Sequence, residues 1–294
     1  MKFGLVGSYG SPAQLVDMAR TAEQHGWDGF FSWDAISLSD PGFDTLPTFD
    51  PFGVLAAVAT VTDRMTLGAM VFALPRHRPW ELAQRVLTVD HLSGGRLVLP
   101  VGVSVPSERA FTSVHGQSTA LRDRAETLDE VLAWLERSWS GETFRFDGAH
   151  LSTGDFRFPL PPVNGRIPIW PVAVWDAERP PLRNLNRALR WDGVVAQYRG
   201  LEPAEDPTPE MLAAMAQWYR ERHDPAKGPF QFVHQGTLSS DRGKAREQAA
   251  AAAEAGATWW VDSWWDPATT TPEMLLEVAR REPPQVPPQV PSPV

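Results

Sequence analysis

Eight short apolar runs, each followed by a longer stretch of helical periodicity, constrain the fold of this 294-residue chain more than any other feature. The runs are rich in β-branched and aromatic residues, whereas the stretches between them repeat their apolar residues at the period of an α-helix. This alternation predicts eight βα units and therefore a parallel sheet. Eight is the number of strands at which such a sheet closes on itself, so we predict a single α/β domain of the (β/α)₈ TIM-barrel class.

The boundaries of these units follow from the same pattern. We predict strands over Lys2–Gly7, Asp28–Trp33, Met65–Val71, Arg96–Val103, Pro168–Val174, Trp191–Gln197, Phe230–Gln235 and Ala257–Trp264. We predict helices over Ser11–His25, Asp50–Thr62, Pro79–Leu92, Leu121–Ser138, Pro181–Leu189, Pro209–Arg222, Arg242–Ala255 and Pro272–Arg281. The alternative fold is an open doubly wound sheet, which normally has a glycine-rich phosphate turn after its first strand. Residues Val6–Gly10 match that turn poorly.

Two segments fall outside the repeat. Residues Gly141–Arg166 are rich in glycine, proline and phenylalanine and are interpreted as an insertion that follows the fourth strand and its helix. Residues 282–294 contain a proline at nearly every second position. We predict that the barrel occupies residues 1–281 and that 282–294 form an extended tail, because such a sequence forms neither a helix nor a central strand.

The amino-acid composition argues against several classes of binding partner and of binding site. The net charge of −9 argues against a nucleic-acid partner, since neutralising phosphates requires a basic surface. The chain has no cysteine, which excludes thiolate metal sites, disulfides and cysteine nucleophiles, and we expect no metal site. No stretch approaches the ~20 apolar residues of a membrane span, and the first apolar run is too short for a signal peptide. We therefore expect a cytoplasmic protein with a small-molecule substrate, and leave open whether it forms a homodimer.

One string of residues resembles a known protein family. Leu74-Pro75-Arg76-His77-Arg78-Pro79 is followed by Leu82-Ala83 and then by the run Val-Asp-His-Leu-Ser-Gly-Gly-Arg-Leu at 89–97. This string resembles the third-helix signature of the bacterial-luciferase-like monooxygenases, a family of flavin- and deazaflavin-dependent oxidoreductases. Further matches occur in the same order at Asp50–Phe52, Met65–Gly68, Arg190–Val194 and Ala255–Trp260, so the resemblance covers residues 1–281.

The resemblance implies an activity. The leading interpretation is a monooxygenase that uses reduced FMN and oxygen to act on a hydrophobic small organic molecule. The first alternative is hydride transfer with the deazaflavin coenzyme F420. The second is a non-catalytic relative without a cofactor, which Ala35 favours because many family members have a catalytic histidine at that position. A third is a hydrolase-like barrel with Asp34 and Asp262 as a carboxylate pair.

Site residues are sought at the carboxyl ends of the strands, where barrel enzymes place their chemistry. The predicted catalytic residues are His234 and Asp34, with a hydrogen-bonded structural histidine as the competing interpretation of His234. The predicted cofactor-binding residues are Met70, Val71, Phe72, Gly102, Ser104, Trp175, Arg179 and Arg183. The predicted substrate pocket consists of Trp33, His115, Gln197 and Trp264. The resemblance also implies a non-proline cis peptide between Met70 and Val71.

Overall fold

A computed structural model describes residues 1–180, 182–201 and 205–286. Its strands are β1 (Lys2–Val6), β2 (Gly29–Ser32), β3 (Thr66–Ala69), β4 (Phe72–Ala73), β5 (Leu99–Gly102), β6 (Phe144–Asp147), β7 (Ser152–Phe156), β8 (Ile169–Trp175), β9 (Gly193–Tyr198), β10 (Gln231–Gly236) and β11 (Trp259–Asp262). Its helices are α1 (Pro12–Gln24), α2 (Pro51–Ala59), α3 (Pro79–Ser93), α4 (Arg109–Thr112), α5 (Leu121–Ser138), α6 (Leu182–Ala188), α7 (Pro209–Arg220), α8 (Arg242–Ala255) and α9 (Pro272–Ala279). Pro181, the predicted first residue of the fifth helix, and 287–294 of the predicted tail lie outside the described residues.

The parallel strands form the predicted closed barrel. Their order is β3-β2-β1-β11-β10-β9-β8-β5-β4, and β3 and β4 are two halves of one barrel strand. The seam is closed at Leu67, whose N–H donates to the carbonyl of Arg96 (3.0 Å) and whose carbonyl accepts from the N–H of Val98 (2.9 Å). Eight barrel strands surrounded by helices confirm the predicted fold class.

Capping side chains define where several of the helices begin. The side chains of Ser11 and Asp50 accept hydrogen bonds from backbone N–H groups in the first turns of α1 and α2. Thr208, Asp241 and Thr271 do the same for α7, α8 and α9. Each such cap contributes about 1 kcal/mol by satisfying an N–H that has no partner within the helix.

The predicted insertion is an antiparallel hairpin formed by β6 and β7. It packs on α5 through Trp134, whose ring lies 5.2 Å from that of Phe144 and 5.3 Å from that of Phe156. The carboxylate of Glu130 accepts hydrogen bonds from three successive backbone N–H groups in the hairpin turn. The insertion is thus a fixed part of the barrel's outer surface.

The lower part of the barrel lumen is filled with side chains. One apolar cluster contains residues from all eight barrel strands and therefore marks the lumen: Val6, Phe31, Met70, Val98, Trp170, Val195, Val233, Trp259 and Val261. Phe31 lies at its centre, and a Cβ atom at position 4 or 29 would approach the Phe31 ring to 2.6 or 3.0 Å. Glycines at these positions make room for the ring, so a ligand of this barrel has to bind above it, at the carboxyl ends of the strands.

Candidate active site

The mouth of the barrel has an aromatic wall on the side of β1, β2 and β11. The ring of Trp33 lies 6.2 Å from Tyr9, 6.4 Å from Phe43 and 6.0 Å from Trp265. The Tyr9 hydroxyl donates to the carbonyl of Trp265 at 2.7 Å, which joins the first strand's loop to the last strand's loop. The predicted pocket residue Trp33 is therefore at the mouth, together with Trp265.

Two glutamines supply the long polar side chains of the mouth. Val195 pairs with Val233 in the lumen, and alternation along β9 and β10 places Gln197 and Gln235 on the same side, two residues farther towards the carboxyl ends. Neither side-chain amide forms a hydrogen bond with a described residue. The hydroxyl of Ser8, two residues after β1, is buried and has no hydrogen-bond partner in the described part of the chain. These groups are available to a ligand.

Gln197 was predicted and Gln235 was not. The predicted seventh strand ends at Gln235, and the sequence leaves open whether His234 points into the lumen mouth or into the helical layer. Val233 belongs to the lumen cluster, so alternation from Val233 selects Gln235.

His234 lies on the helical side of β10, away from the mouth. Its ring packs edge-on against Trp260 at 4.5 Å, and only 2% of the residue is exposed. Burial lowers its pKa to about 4, so the imidazole is neutral near pH 7. Its Nδ1 has no hydrogen-bond partner among the described residues. In this position the side chain does not reach a ligand in the lumen.

Asp34 is held by the segment that follows the third barrel strand. Its carboxylate accepts from the backbone N–H of Ala73 at 2.9 Å, forms an ion pair with Arg76, and lies 3.3 Å from Nε2 of His77. Burial alone would raise the pKa of Asp34, but the hydrogen bond from His77 and the charge of Arg76 outweigh it and lower that pKa. The carboxylate is committed to these contacts.

Asp262 also lies on the helical side, at the end of β11. Its carboxyl accepts from the N–H of Leu238 at 2.8 Å, and the indole N–H of Trp264 faces it without good hydrogen-bond geometry. Burial raises the pKa of Asp262 to about 7. Trp264 therefore accompanies Asp262 on the helical side, and Asp34 and Asp262 do not form a carboxylate pair across the mouth.

The predicted cofactor residues are divided between the two faces of the sheet. Met70 belongs to the lumen cluster, and Val71 packs against it. A Cβ atom on Gly102 would lie 2.9 Å from Val71, so the glycine allows that close approach. Phe72 and Trp175 belong to the layer between strands and helices. The predicted cis peptide between Met70 and Val71 is confirmed.

The remaining predicted residues lie in loops or at a helix start. Ser104 follows β5 with a φ of 67°. Arg179 is exposed, and Arg183 donates to Glu126 at 3.2 Å. His115 is exposed in the loop between α4 and α5. Of these residues, Arg183 is therefore already paired, and Arg179 and His115 are open to solvent at the rim.

The described residues contain neither a grouping of three His, Asp or Glu side chains suited to a metal ion nor a helix long and apolar enough to cross a membrane.

Comparison with known proteins agrees with this architecture. The sequence model of the luciferase-like monooxygenase family matches residues 2–282. The chain belongs to that family. Among curated relatives, the F420-dependent glucose-6-phosphate dehydrogenase of Nocardia farcinica is 30% identical over 168 residues, which cover 55% of this chain and 48% of that protein. The dimethyl-sulfide monooxygenase of Hyphomicrobium sulfonivorans is 30% identical over 136 residues, which cover 43% and 28%. The chain thus matches about half or less of the length of these relatives.

Solved structures of the same fold extend over the whole chain. The coenzyme F420 dependent tetrahydromethanopterin reductase of Methanopyrus kandleri has a TM-score of 0.73 at 14% identity and covers 96% of this chain and 98% of its own. The oxygenating constituent of 3,6-diketocamphane monooxygenase from Pseudomonas putida, in complex with FMN, also has a TM-score of 0.73, at 16% identity, and covers 99% of both chains. At these identities the likeness establishes the fold.

Proposed function

We propose that this protein is an oxidoreductase that binds the ring system of a flavin or deazaflavin at the barrel mouth against Gln197 and Gln235. The observation that carries the proposal is a pair of side-chain amides that form no hydrogen bond with a described residue. They lie above a lumen filled with aromatic and aliphatic side chains. The lumen cannot admit a ligand below Phe31, whereas the mouth offers an aromatic wall and a few polar groups. Cofactor sites in general combine these two features.

The donor set at the mouth matches the chemistry of such a ring. Flavins and deazaflavins share a planar conjugated system with an imide edge, on which carbonyl and N–H groups alternate. A glutamine amide donates through its NH₂ and accepts through its carbonyl, so two neighbouring glutamines complement that edge. Trp33 and Trp265 offer flat apolar faces to a planar partner. The residues present therefore fit the group.

The cofactor, when bound, supplies the electron-transfer chemistry. The chain's own residues bind the ring, orient it and exclude water. We propose these positioning roles for Gln197 and Gln235. They replace proton transfer by His234, which lies on the helical side, or by Asp34, whose carboxylate is held by Ala73, Arg76 and His77. An ion pair between Arg199 and Asp176 (3.4 Å) lies beyond the ends of β8 and β9.

A phosphate on the cofactor would meet the arginines that follow β8. Arg179 and Arg183 remain the proposed phosphate contacts, and Arg183 would exchange its exposed pair with Glu126 for a phosphate oxygen. The substrate that we propose is a hydrophobic small organic molecule, since the mouth is walled by Tyr9, Trp33 and Trp265. Relatives that use FMN and relatives that use coenzyme F420 both resemble the chain. We take FMN with oxygen as the leading choice and coenzyme F420 as the alternative.

A direct test is a titration of the purified protein with FMN, in oxidised and reduced form, and separately with coenzyme F420. Binding at an aromatic mouth should perturb the visible absorption band and quench the fluorescence of one of the two cofactors in a saturable manner. A response to FMN would support the monooxygenase interpretation, and a response to F420 would support hydride transfer. If neither cofactor responds at concentrations up to about 1 mM, a binding free energy of roughly −4 kcal/mol, the proposal is wrong.

A further inference from the structure

A groove on the outer surface of the barrel lies between α8 and α9, and the chain that follows α9 forms part of its wall. Its volume is about 370 Å³, which lies within the range of small-molecule sites. Trp27, Leu238 and Val278 line it with buried apolar surface. The Trp27 indole N–H donates to the carbonyl of Arg281 at 2.9 Å and fixes the chain where it leaves α9. The walls of the groove are thus held in place by contacts within the fold.

Four arginines line this groove. Arg242 and Arg246 lie one turn apart on α8, and Arg280 and Arg281 follow α9 on the opposite side. Like charges four residues apart destabilise a helix, and the chain as a whole has a net charge of −9. The four arginines outnumber the carboxyl groups that line the groove, so the groove is positively charged although the chain as a whole is negative. A cleft lined by one sign of charge raises the local concentration of the opposite ion.

Few carboxyl groups balance these arginines. Among the described residues that line the groove, they are Glu282 and Asp262. Glu282 lies 3.9 Å from Arg242, with both side chains largely exposed, and Asp262 is buried with its carboxyl hydrogen-bonded to a backbone N–H. The guanidinium groups of Arg246 and Arg281 form no hydrogen bond or ion pair with a described residue. Arg280 pairs with Glu277, and Arg281 interacts electrostatically with the buried Asp262. Arg246 and Arg281 are exposed to solvent, so their guanidinium groups can bind an anion that enters the groove.

We propose that this groove binds a small organic anion. Its carboxylate or phosphate is held by Arg246 and Arg281, because a guanidinium binds either group through two parallel N–H donors. Its apolar body lies against the half-buried Pro283 and Pro284, with the buried Trp27, Leu238 and Val278 behind them. The site is separate from the mouth, since it opens on the helical side of β11 whereas Val261 of that strand faces the lumen. The proposal does not depend on the redox function proposed above.

Calorimetric titration with octanoate and, separately, with inorganic phosphate tests the proposal. We expect at least one probe to bind the wild-type protein saturably. The variant Arg246→Gln/Arg281→Gln should bind it at least about tenfold more weakly, the loss expected when charged hydrogen bonds are removed. The matched control Arg85→Gln/Arg222→Gln removes the same charge from α3 and from the segment after α7, and should bind within about twofold of wild type. Arg246, Arg281, Arg85 and Arg222, the four positions that are changed, are all exposed, so both double variants should fold.

The outcomes separate the proposal from its alternatives. Octanoate binding identifies a carboxylate ligand with an apolar body, and phosphate binding identifies a phosphate ester. If wild-type protein binds neither probe, the proposal is overturned. An equal loss in both double variants would mean a general effect of charge, which also overturns it. Loss of binding in Gln197→Leu with full binding in the groove variant would place the ligand at the barrel mouth instead.

Discussion

Replacing Asp262 with asparagine should remove a large pH dependence of stability. Asp262 is 2% exposed, and burial raises its pKa to about 7, whereas the same carboxyl in the unfolded chain titrates near pH ~3.9. Between these values the folded protein retains a proton that the unfolded chain releases. The free energy of unfolding therefore falls as pH rises through this window, by about 1.4 kcal/mol per pH unit and about 4 kcal/mol in all. Above pH ~7 this contribution is constant.

Asparagine has no such titration and can still accept the hydrogen bond from Leu238. Urea unfolding of both proteins between pH 4.5 and 8 measures the effect as a difference between variants, so that other titrating groups cancel. The stability of Asp262→Asn relative to wild type should rise across this range by about 3 kcal/mol and then level off. Asp17→Asn, at an exposed position on α1, is the control. A difference that does not change with pH would refute the argument that burial dominates the protonation of Asp262.

Three further predictions concern stability, each measured by urea unfolding. His234→Gln should remove a pH dependence of stability of the opposite sign. The pKa of His234 in the folded protein, about 4, lies below the ~6.5 of the unfolded chain, so wild-type stability falls by about 3 kcal/mol as pH drops through that interval. If the variant loses the same stability at acid pH, the prediction is wrong. Asp34→Asn should cost about 3–5 kcal/mol because it leaves Arg76 buried without its partner, whereas Asp17→Asn should cost less than about 1 kcal/mol. Gly4→Ala should cost about 1–3 kcal/mol because its Cβ would lie 2.6 Å from the Phe31 ring, while Gly154→Ala meets no atom within 4 Å and is the control.

The barrel was predictable from sequence because its signal is repeated eight times. Each apolar run and each helical stretch supports the same architecture, and an error of a few residues at one boundary does not change it. The predicted strand Arg96–Val103 illustrates this: the ladder covers only Leu99–Gly102, with a single bridge at Leu97. Gly94 and Gly95, both with positive φ, end α3 and turn the chain before the strand begins.

The direction of individual side chains at the mouth was harder to predict. Strands of a parallel barrel are buried on both faces, so they are apolar throughout and lack the alternation that would mark an inner and an outer side. A shift of one residue then exchanges the two faces. This is why the sequence does not decide whether His234 faces the lumen, and why Trp264 is predicted in the pocket although it lies on the helical side. The groove between α8 and α9 was missed because its arginines come from segments that are distant in sequence.

We propose that the ligand meets the lumen-facing glutamines and not the buried residues behind them. Fluorescence titration with whichever of FMN or coenzyme F420 binds the wild-type protein tests it directly, with Gln197→Leu/Gln235→Leu compared with His234→Gln. The first variant removes both amides from the mouth and should weaken binding about 100-fold, roughly tenfold for each lost hydrogen bond. His234→Gln should stay within about threefold of wild type, because the imidazole lies on the helical side. Full binding by the double glutamine variant would contradict this proposal, and so would loss of binding in His234→Gln.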